Sequence, residues 1–128
     1  MKFLLDTHVL LWAAGRPEKL SRKTRALLNH PDNDPVFSAA SLWEIVIKQG
    51  LGRDDFRVDA RQLRRGLLDN GYSELAVTSA YALVVDDLPP LHRDPFDRML
   101  LAQSRVEGIT LLTADVLVLR YPGPVQKA

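Results

Sequence analysis

Four acidic residues lie at the end of an apolar segment or on the polar strip of an apolar helix: Asp6, Glu44, Asp97 and Asp115. Asp6 directly follows the apolar run Lys2–Leu5, and two residues separate Asp115 from the apolar run Ile109–Leu112. In an open parallel sheet, ligands bind beyond the carboxyl ends of the strands where the strand order switches, so these two acids can be neighbours. Taken singly, an aspartate after a strand is usually explained as the N-cap of the next helix.

Asp97 belongs to the first turn of a predicted helix, Pro95–Val106, for which Asp94 is a good N-cap. An acid in the first turn is favoured by the helix dipole, which is a sufficient structural explanation. At about 100° per residue, however, Asp97 shares a stripe with Leu100 and Leu101, and this stripe should face the core. A carboxylate at the mouth of a buried stripe needs a partner, and a cation is a good candidate.

Glu44 lies in a predicted helix, Ala39–Gln49, whose apolar residues cover about 200° of its surface and leave little of it for solvent. Glu44 falls on the narrow polar strip that remains, together with Ser41 and Lys48. An ion pair between Glu44 and Lys48, four residues on, explains this placement as well as a role in a site does. Trp43 is predicted to be a core or dimer contact and not a platform for stacking bases.

The four acids together suggest a site for a hard cation. Mg²⁺ and Mn²⁺ prefer carboxylate oxygen to nitrogen or sulfur, and gathered carboxylates repel one another unless a metal neutralises them. The chain has no cysteine, which excludes disulfides, thiolate metal sites and a cysteine nucleophile. The three histidines lack the HExxH-like spacing of a zinc site, so ordinary surface or packing roles are expected for them.

The elements that must position these acids alternate between strand and helix. Such a pattern predicts the α/β class, with a mainly parallel central sheet flanked by helices and a single domain over residues 1–128. Besides the elements already named, the patterns predict a strand at Val36–Ser38, a strand at Glu74–Val77, a basic helix at Ala60–Leu68 and a helix at Ser79–Val85. The first apolar run is too short for a signal peptide or membrane span, and the absence of cysteine suits a cytoplasmic protein.

The formal net charge is only +1, but the basic and acidic residues are distributed unevenly along the chain. Residues 1–66 hold 12 basic and 8 acidic residues, whereas the remainder holds 5 basic and 8 acidic residues. A basic flank of this kind suits a polyanion such as a nucleic acid. Solvated helix faces explain the same charges slightly better when the asymmetry is taken alone.

Four segments resemble the PIN domain family, specifically the VapC-type toxin nucleases of toxin–antitoxin pairs: Phe3–Leu11 (FLLDTHVLL), Ser38–Ile47 (SAASLWEIVI), His92–Gln103 (HRDPFDRMLLAQ) and Ile109–Asp115 (ITLLTAD). DTH after a strand is a weak signal alone, but the other three motifs in this order and spacing are specific. The segments extend from near the first residue to near the last, so the resemblance covers essentially the whole chain.

The resemblance implies an endoribonuclease whose four acids bind Mg²⁺ or Mn²⁺. Thr7, Thr113, Asp94 and Arg98 would lie beside the acids and support them. His92 and Arg98 also match a recurrent pattern of this subgroup. In the general two-metal scheme, water attacks the phosphodiester and leaves a 5′-phosphate and a 3′-hydroxyl. The resemblance also implies structured RNA such as tRNA as substrate, a homodimer, and a cognate antitoxin whose tail enters the site. The RNA backbone would lie on basic helices, with Arg61, Arg64 and Arg65 as the candidate contacts.

The residues of the sequence leave two other functions to be considered. A phosphatase or phosphotransferase with Asp6 as covalent nucleophile would need a second aspartate two residues on, where this chain has His8. A non-catalytic module that binds RNA or protein on the same fold would use the acids only as caps and ion pairs. A metal titration separates that module from a nuclease.

Overall fold

The sheet is built from five short strands: β1 (Lys2–Leu5), β2 (Asp34–Ser38), β3 (Ser73–Leu75), β4 (Thr110–Thr113) and β5 (Val125–Lys127). The computed structural model describes residues 1–128. Its strand order is β3-β2-β1-β4-β5, and every neighbouring pair is parallel. The predicted α/β class with a parallel central sheet is therefore confirmed, and the sheet is parallel throughout.

Helices cover both faces of this sheet: α1 (Thr7–Gly15), α2 (Arg22–Asn29), α3 (Ala39–Gly50), α4 (Ala60–Asp69), α5 (Ser79–Val85) and α6 (Pro95–Glu107). Short 3₁₀ turns at Pro17–Lys19, Asp54–Phe56 and Val118–Arg120 were not predicted. None of the helices has both the length and the apolar character that a membrane span requires.

Alternation along the strands divides the core into two parts. Phe3 and Leu5 of β1 pack in one cluster with residues of α1, α3 and α4, whereas Leu4 belongs to a second cluster with residues of α6. Successive side chains of a strand point to opposite faces, so a strand covered on both sides must be apolar at every position. This explains why β1 is apolar at every position after the exposed Lys2.

The strand order switches between β1 and β4. From β1 the chain moves outward through β2 and β3, and then returns to the opposite side of β1 with β4 and β5. Asp6 follows β1, and its backbone N–H donates to the carbonyl of Leu112 in β4 at 3.0 Å. The two acids that end neighbouring strands are thus delivered to the crevice where ligands bind in open α/β sheets.

The surface of α3 differs from the prediction. Glu44, which was predicted to share a narrow polar strip open to solvent, is buried, whereas Trp43 is 63% exposed and Val46 is 56% exposed. The prediction that Trp43 is a core residue is wrong for the chain alone; the dimer-contact alternative stays open. The polar strip faces inward because it meets the acid-lined end of the sheet.

Candidate metal and nuclease site

A cleft of about 270 Å³ lies beyond the carboxyl ends of β1 and β4. Ten residues line it: Asp6, His8, Trp12, Glu44, Lys48, His92, Asp94, Asp97, Ala114 and Asp115. All four predicted acids are therefore brought to one cleft, although they come from four different parts of the chain. A fifth carboxylate, that of Asp94, lies beside them.

Asp6 combines a structural role with its place in the cleft. Its Oδ1 accepts a hydrogen bond from the backbone N–H of Val9 at 2.9 Å, which caps α1. Its Oδ2 accepts a hydrogen bond from the hydroxyl of Thr113, at the end of β4. The side chain is only 5% exposed, and this burial raises the pKa of Asp6 above its usual value although both hydrogen bonds oppose the change.

Glu44 is held by partners on both of its oxygens. The hydroxyl of Thr7 donates to Oε1 at 2.5 Å, and the ammonium of Lys48 donates to Oε2. The pairing of Glu44 with Lys48 therefore exists, and it exists inside the cleft because Glu44 is only 3% exposed. The two explanations considered for Glu44 do not exclude each other.

His92 connects Asp97 with Asp115. Its Nε2 lies 2.8 Å from Oδ2 of Asp97 and 3.4 Å from Oδ2 of Asp115. Its Nδ1 accepts a hydrogen bond from the backbone N–H of Asp94 at 3.4 Å, which leaves the proton of the neutral ring on Nε2. The imidazole thus donates to the carboxylates. It lies between Asp97 of α6 and Asp115 after β4 and holds the two carboxylates close together.

The pKa of Asp97 is raised to about 7. Desolvation is the largest cause, followed by the negative charges of Asp94, Asp6 and Glu44, while His92 acts in the opposite direction. The N-cap geometry is also present, since Oδ1 of Asp94 accepts from the backbone N–H of Asp97 at 3.2 Å. Asp97 is therefore a first-turn acid, as predicted, held among carboxylates that repel it.

The chemistry of the donor set fits a hard divalent cation. Asp97 and Asp115 each offer a carboxylate oxygen, and these oxygens lie within 4.8 Å of each other and of a ring nitrogen of His92. Oδ1 of Asp115 accepts from the backbone N–H of Leu117 at 2.8 Å, so this carboxylate has a fixed orientation. Carboxylate oxygens with a raised pKa gain most from a cation, because the cation removes the repulsion between them.

The remaining predicted support residues separate into two groups. Thr7, Thr113 and Asp94 contact the acids directly, as described above.

Arg98 does not line the cleft. Its guanidinium donates to the carbonyls of Val85, Pro89 and His92, at 3.0, 3.2 and 3.3 Å, and to the hydroxyl of Tyr121 at 3.3 Å. Arg98 thus fastens the segment before α6 and acts on the cleft only by holding His92.

The predicted RNA-binding arginines lie on α4 and are exposed, but they do not line the cleft. Nε of Arg64 donates to Glu74 in β3 at 2.9 Å, whereas Arg61 and Arg65 form no salt bridge. A larger groove, of about 1330 Å³, shares His8 and Trp12 with the cleft but contains none of the four acids. Its basic lining residues are Arg16, Lys19, Arg25 and Arg57.

Sequence reasoning missed the positions of His92 and Lys48 within the cleft. The spacing of Glu44 and Lys48 predicted their ion pair but did not show whether the pair faces the cleft or the solvent. For His92, the available signal was its place two residues before the N-cap Asp94, because a chain that enters a helix there can fold back onto the first turn.

Comparison with protein families identifies the family to which this chain belongs. The family model described as PIN domain matches residues 3–123. The chain belongs to the PIN domain family. PIN domains are generally nucleases, and PIN nucleases generally use divalent metal ions. No curated protein sequence matches this PIN domain significantly.

Solved structures of low sequence identity share this fold. The Rickettsia felis VapBC2 complex, bound to a DNA fragment from its promoter, is 15% identical with a TM-score of 0.74, and the match covers 99% of this PIN domain and 98% of that chain. DNA-bound VapBC from Salmonella typhimurium is 17% identical with a TM-score of 0.67 and the same coverage. VapBC-1 from nontypeable Haemophilus influenzae is 18% identical with a TM-score of 0.62, again with the same coverage.

Proposed function

We propose that this PIN domain, as one domain over residues 1–128, is a Mg²⁺- or Mn²⁺-dependent endoribonuclease and the toxin of a VapBC-type pair. The observation that carries the proposal is the convergence of Asp6, Glu44, Asp97 and Asp115 on one cleft at the strand switch. A divalent cation held by these acids would activate water against the phosphodiester and stabilise the leaving oxygen. Action on cellular RNA would take place in the cytoplasm.

Residues around the acids would hold the carboxylates in the positions that catalysis requires. Thr113 and the backbone of Val9 hold Asp6, and Thr7 and Lys48 hold Glu44, so neither carboxylate needs to reorganise before a substrate arrives. His92 keeps Asp97 close to Asp115. Preorganised groups of this kind lower the cost of reaching the transition state.

Cleavage mapping tests this proposal directly. The purified protein is incubated with total cellular RNA in Mg²⁺, in Mn²⁺ and in EDTA, and the ends of the products are sequenced. We expect discrete cuts that require the metal and that leave 5′-phosphate and 3′-hydroxyl ends. RNA binding without cleavage in either metal would instead support the alternative, a non-catalytic RNA- or protein-binding module whose acids act as helix caps and as the partner of Lys48.

The proposed partner is a cognate antitoxin. Similarity to chains of VapBC complexes supports it, as does the large groove that joins the cleft at His8 and Trp12. About half of the groove is apolar, with Leu11, Leu20 and Leu63 among its lining residues, so a partner segment can bury apolar surface there. A proposed homodimer would cover the exposed apolar residues of α3, including Trp43 and Val46.

We expect the basic helix α4 to contribute to RNA binding and not to chemistry. Replacing Arg61, Arg64 and Arg65 together with alanine should weaken binding and lower the log–log salt slope by about one unit for each lost phosphate contact. Cleavage at saturating RNA should fall far less, since phosphate contacts position the substrate. Filter binding across a salt series, beside single-turnover cleavage, measures both quantities.

The matched comparison for the α4 variant is a triple alanine variant of the groove residues Arg16, Lys19 and Arg25. It removes the same number of charges from the surface that joins the cleft. If only the groove variant changes the salt slope, α4 is a solvated face, and the RNA follows the groove.

A further inference from the structure

Lys48 is the one lysine or arginine that lines the acid cleft, where the other basic side chains are those of His8 and His92. From its position we infer that Lys48 is a catalytic residue that contacts the phosphate at the bond to be cleaved, and that Glu44, besides its proposed place among the metal-binding acids, positions Lys48. This inference rests on the proposed nuclease function and assigns a role within it to a residue outside the acidic quartet.

The ammonium of Lys48 is held from several sides. It donates to Oε2 of Glu44 and lies 3.9 Å from Oδ2 of Asp94. It also lies 5.0 Å from the ring centroid of Phe56 and 6.0 Å from that of Phe96, both within the range of a cation–π contact. A lysine side chain normally has many rotamers, and these contacts restrict it to one place at the cleft.

The ammonium nevertheless keeps unused hydrogen-bonding capacity. It carries three N–H donors, and Glu44 is its one hydrogen-bond acceptor in the protein, because Asp94 lies beyond hydrogen-bond range at 3.9 Å. The side chain is only 18% exposed and lines the cleft beside the carboxylates, so its free donors have little access to solvent. An anionic oxygen that enters the cleft is the acceptor these donors can satisfy with a charge-assisted hydrogen bond.

The phosphodiester is the anion that the proposed reaction brings there. Its non-bridging oxygens gain negative charge as water attacks, and a fixed ammonium stabilises that charge without reorganisation. Glu44 cannot replace this function, because its carboxylate accepts from Thr7 and Lys48 and has no proton to donate to a phosphate oxygen. Its contribution to phosphate binding is to fix the position of the ammonium, which a buried carboxylate held by two donors can do.

The test compares Lys48→Met with wild type in single-turnover cleavage of one RNA in saturating Mg²⁺. We expect the rate to fall by about 100-fold, the usual effect of removing one preorganised donor from a transition state. Mn²⁺ affinity, measured by electron paramagnetic resonance, should not fall, because the variant removes a cation from beside the acids. Lys48→Arg should restore part of the rate. Lys2→Met, which removes the same charge at the amino end of β1, should be unchanged.

A double-mutant cycle tests the role of Glu44. Because part of the effect of Glu44 passes through Lys48, the variant Glu44→Gln/Lys48→Met should lose less rate than the product of the two single losses, and it avoids leaving Glu44 as a buried unpaired charge. Denaturant melts of all three variants report whether each is folded. Fully additive losses would overturn the positioning role of Glu44.

A Lys48→Met rate within a factor of two of wild type would overturn the inference while the nuclease function stands. A parallel loss of Mn²⁺ affinity and rate would also overturn it, since Lys48 would then serve only to hold the acids in place. Wild-type protein that binds RNA and cuts it in neither metal would overturn the proposed function and the inference together.

Discussion

Replacing Asp97 with asparagine should abolish metal-dependent RNA cleavage and yet yield a metal-free protein at least as stable as wild type. Asp97 lies among Asp94, Asp6 and Glu44, whose charges raise its pKa to about 7. Asparagine keeps the size of the side chain and removes one charge from this cluster. We expect the single-turnover rate to fall at least about a thousandfold, a loss of about 4 kcal/mol in transition-state stabilisation. Denaturant melts in EDTA give the stability.

The pH dependence of this variant has a definite sign. A carboxyl group whose pKa is higher in the folded state than in the unfolded state adds stability at low pH and loses it as the pH rises through the folded value. For Asp97 that window extends from about pH 4 to about pH 7. In EDTA, the free energy of unfolding of Asp97→Asn should therefore exceed that of wild type by an amount that grows across this window. It should reach roughly 2–4 kcal/mol, since each pKa unit corresponds to about 1.4 kcal/mol.

Mg²⁺ at about 1,000 times its dissociation constant should reverse the order of stability, because a ligand bound only to the folded wild-type protein adds about 4.1 kcal/mol at that concentration. The control is Asp87→Asn, which removes an exposed charge and should change neither cleavage nor the pH profile. If Asp97→Asn lowers metal-free stability instead, Asp97 is chiefly a structural first-turn acid. Its proposed role in metal binding would then lose its main support.

Replacing Arg98 with alanine should destabilise the protein by roughly 2–4 kcal/mol, since it leaves several partly buried acceptors without their donor. The guanidinium serves Val85, Pro89, His92 and Tyr121 together, and it connects the segment before α6 with the end of the chain. Lysine should rescue only part of this loss, because an ammonium cannot reproduce the planar fork of donors. Urea denaturation measures the free energy of unfolding.

The matched control for Arg98 is Arg105→Ala on the same helix, at an exposed position without a salt bridge, which should change stability by less than about 0.5 kcal/mol. Because Arg98 also binds the carbonyl of His92, we expect weaker Mn²⁺ binding by Arg98→Ala even below its unfolding transition. Unchanged stability in Arg98→Ala would show that water replaces the guanidinium at these acceptors.

Local features of the sequence were sufficient to predict the strands and helices that carry the four acids, and the fold class, but not the three 3₁₀ turns. Asp94 and Pro95 predicted the start of α6, and the apolar run before Asp6 predicted β1 at the residues where the structure has it. These are short-range effects, since a helix begins where a side chain satisfies its free N–H groups and a doubly covered strand must be apolar. Asp6 and Asp115 could be placed near each other for the same reason, because both end strands of one parallel sheet.

Only the tertiary structure decided which way each polar group faces. The pattern of α3 could not show that Glu44 and Lys48 lie inside the cleft while Trp43 is exposed, because helical periodicity gives the angles between side chains but not the direction of the core. The bridge from His92 to Asp97 and Asp115 depends on two chain segments meeting at the sheet edge. The sequence by itself therefore determined the elements and the candidate acids, whereas long-range packing decided which groups surround those acids and which surfaces adjoin them.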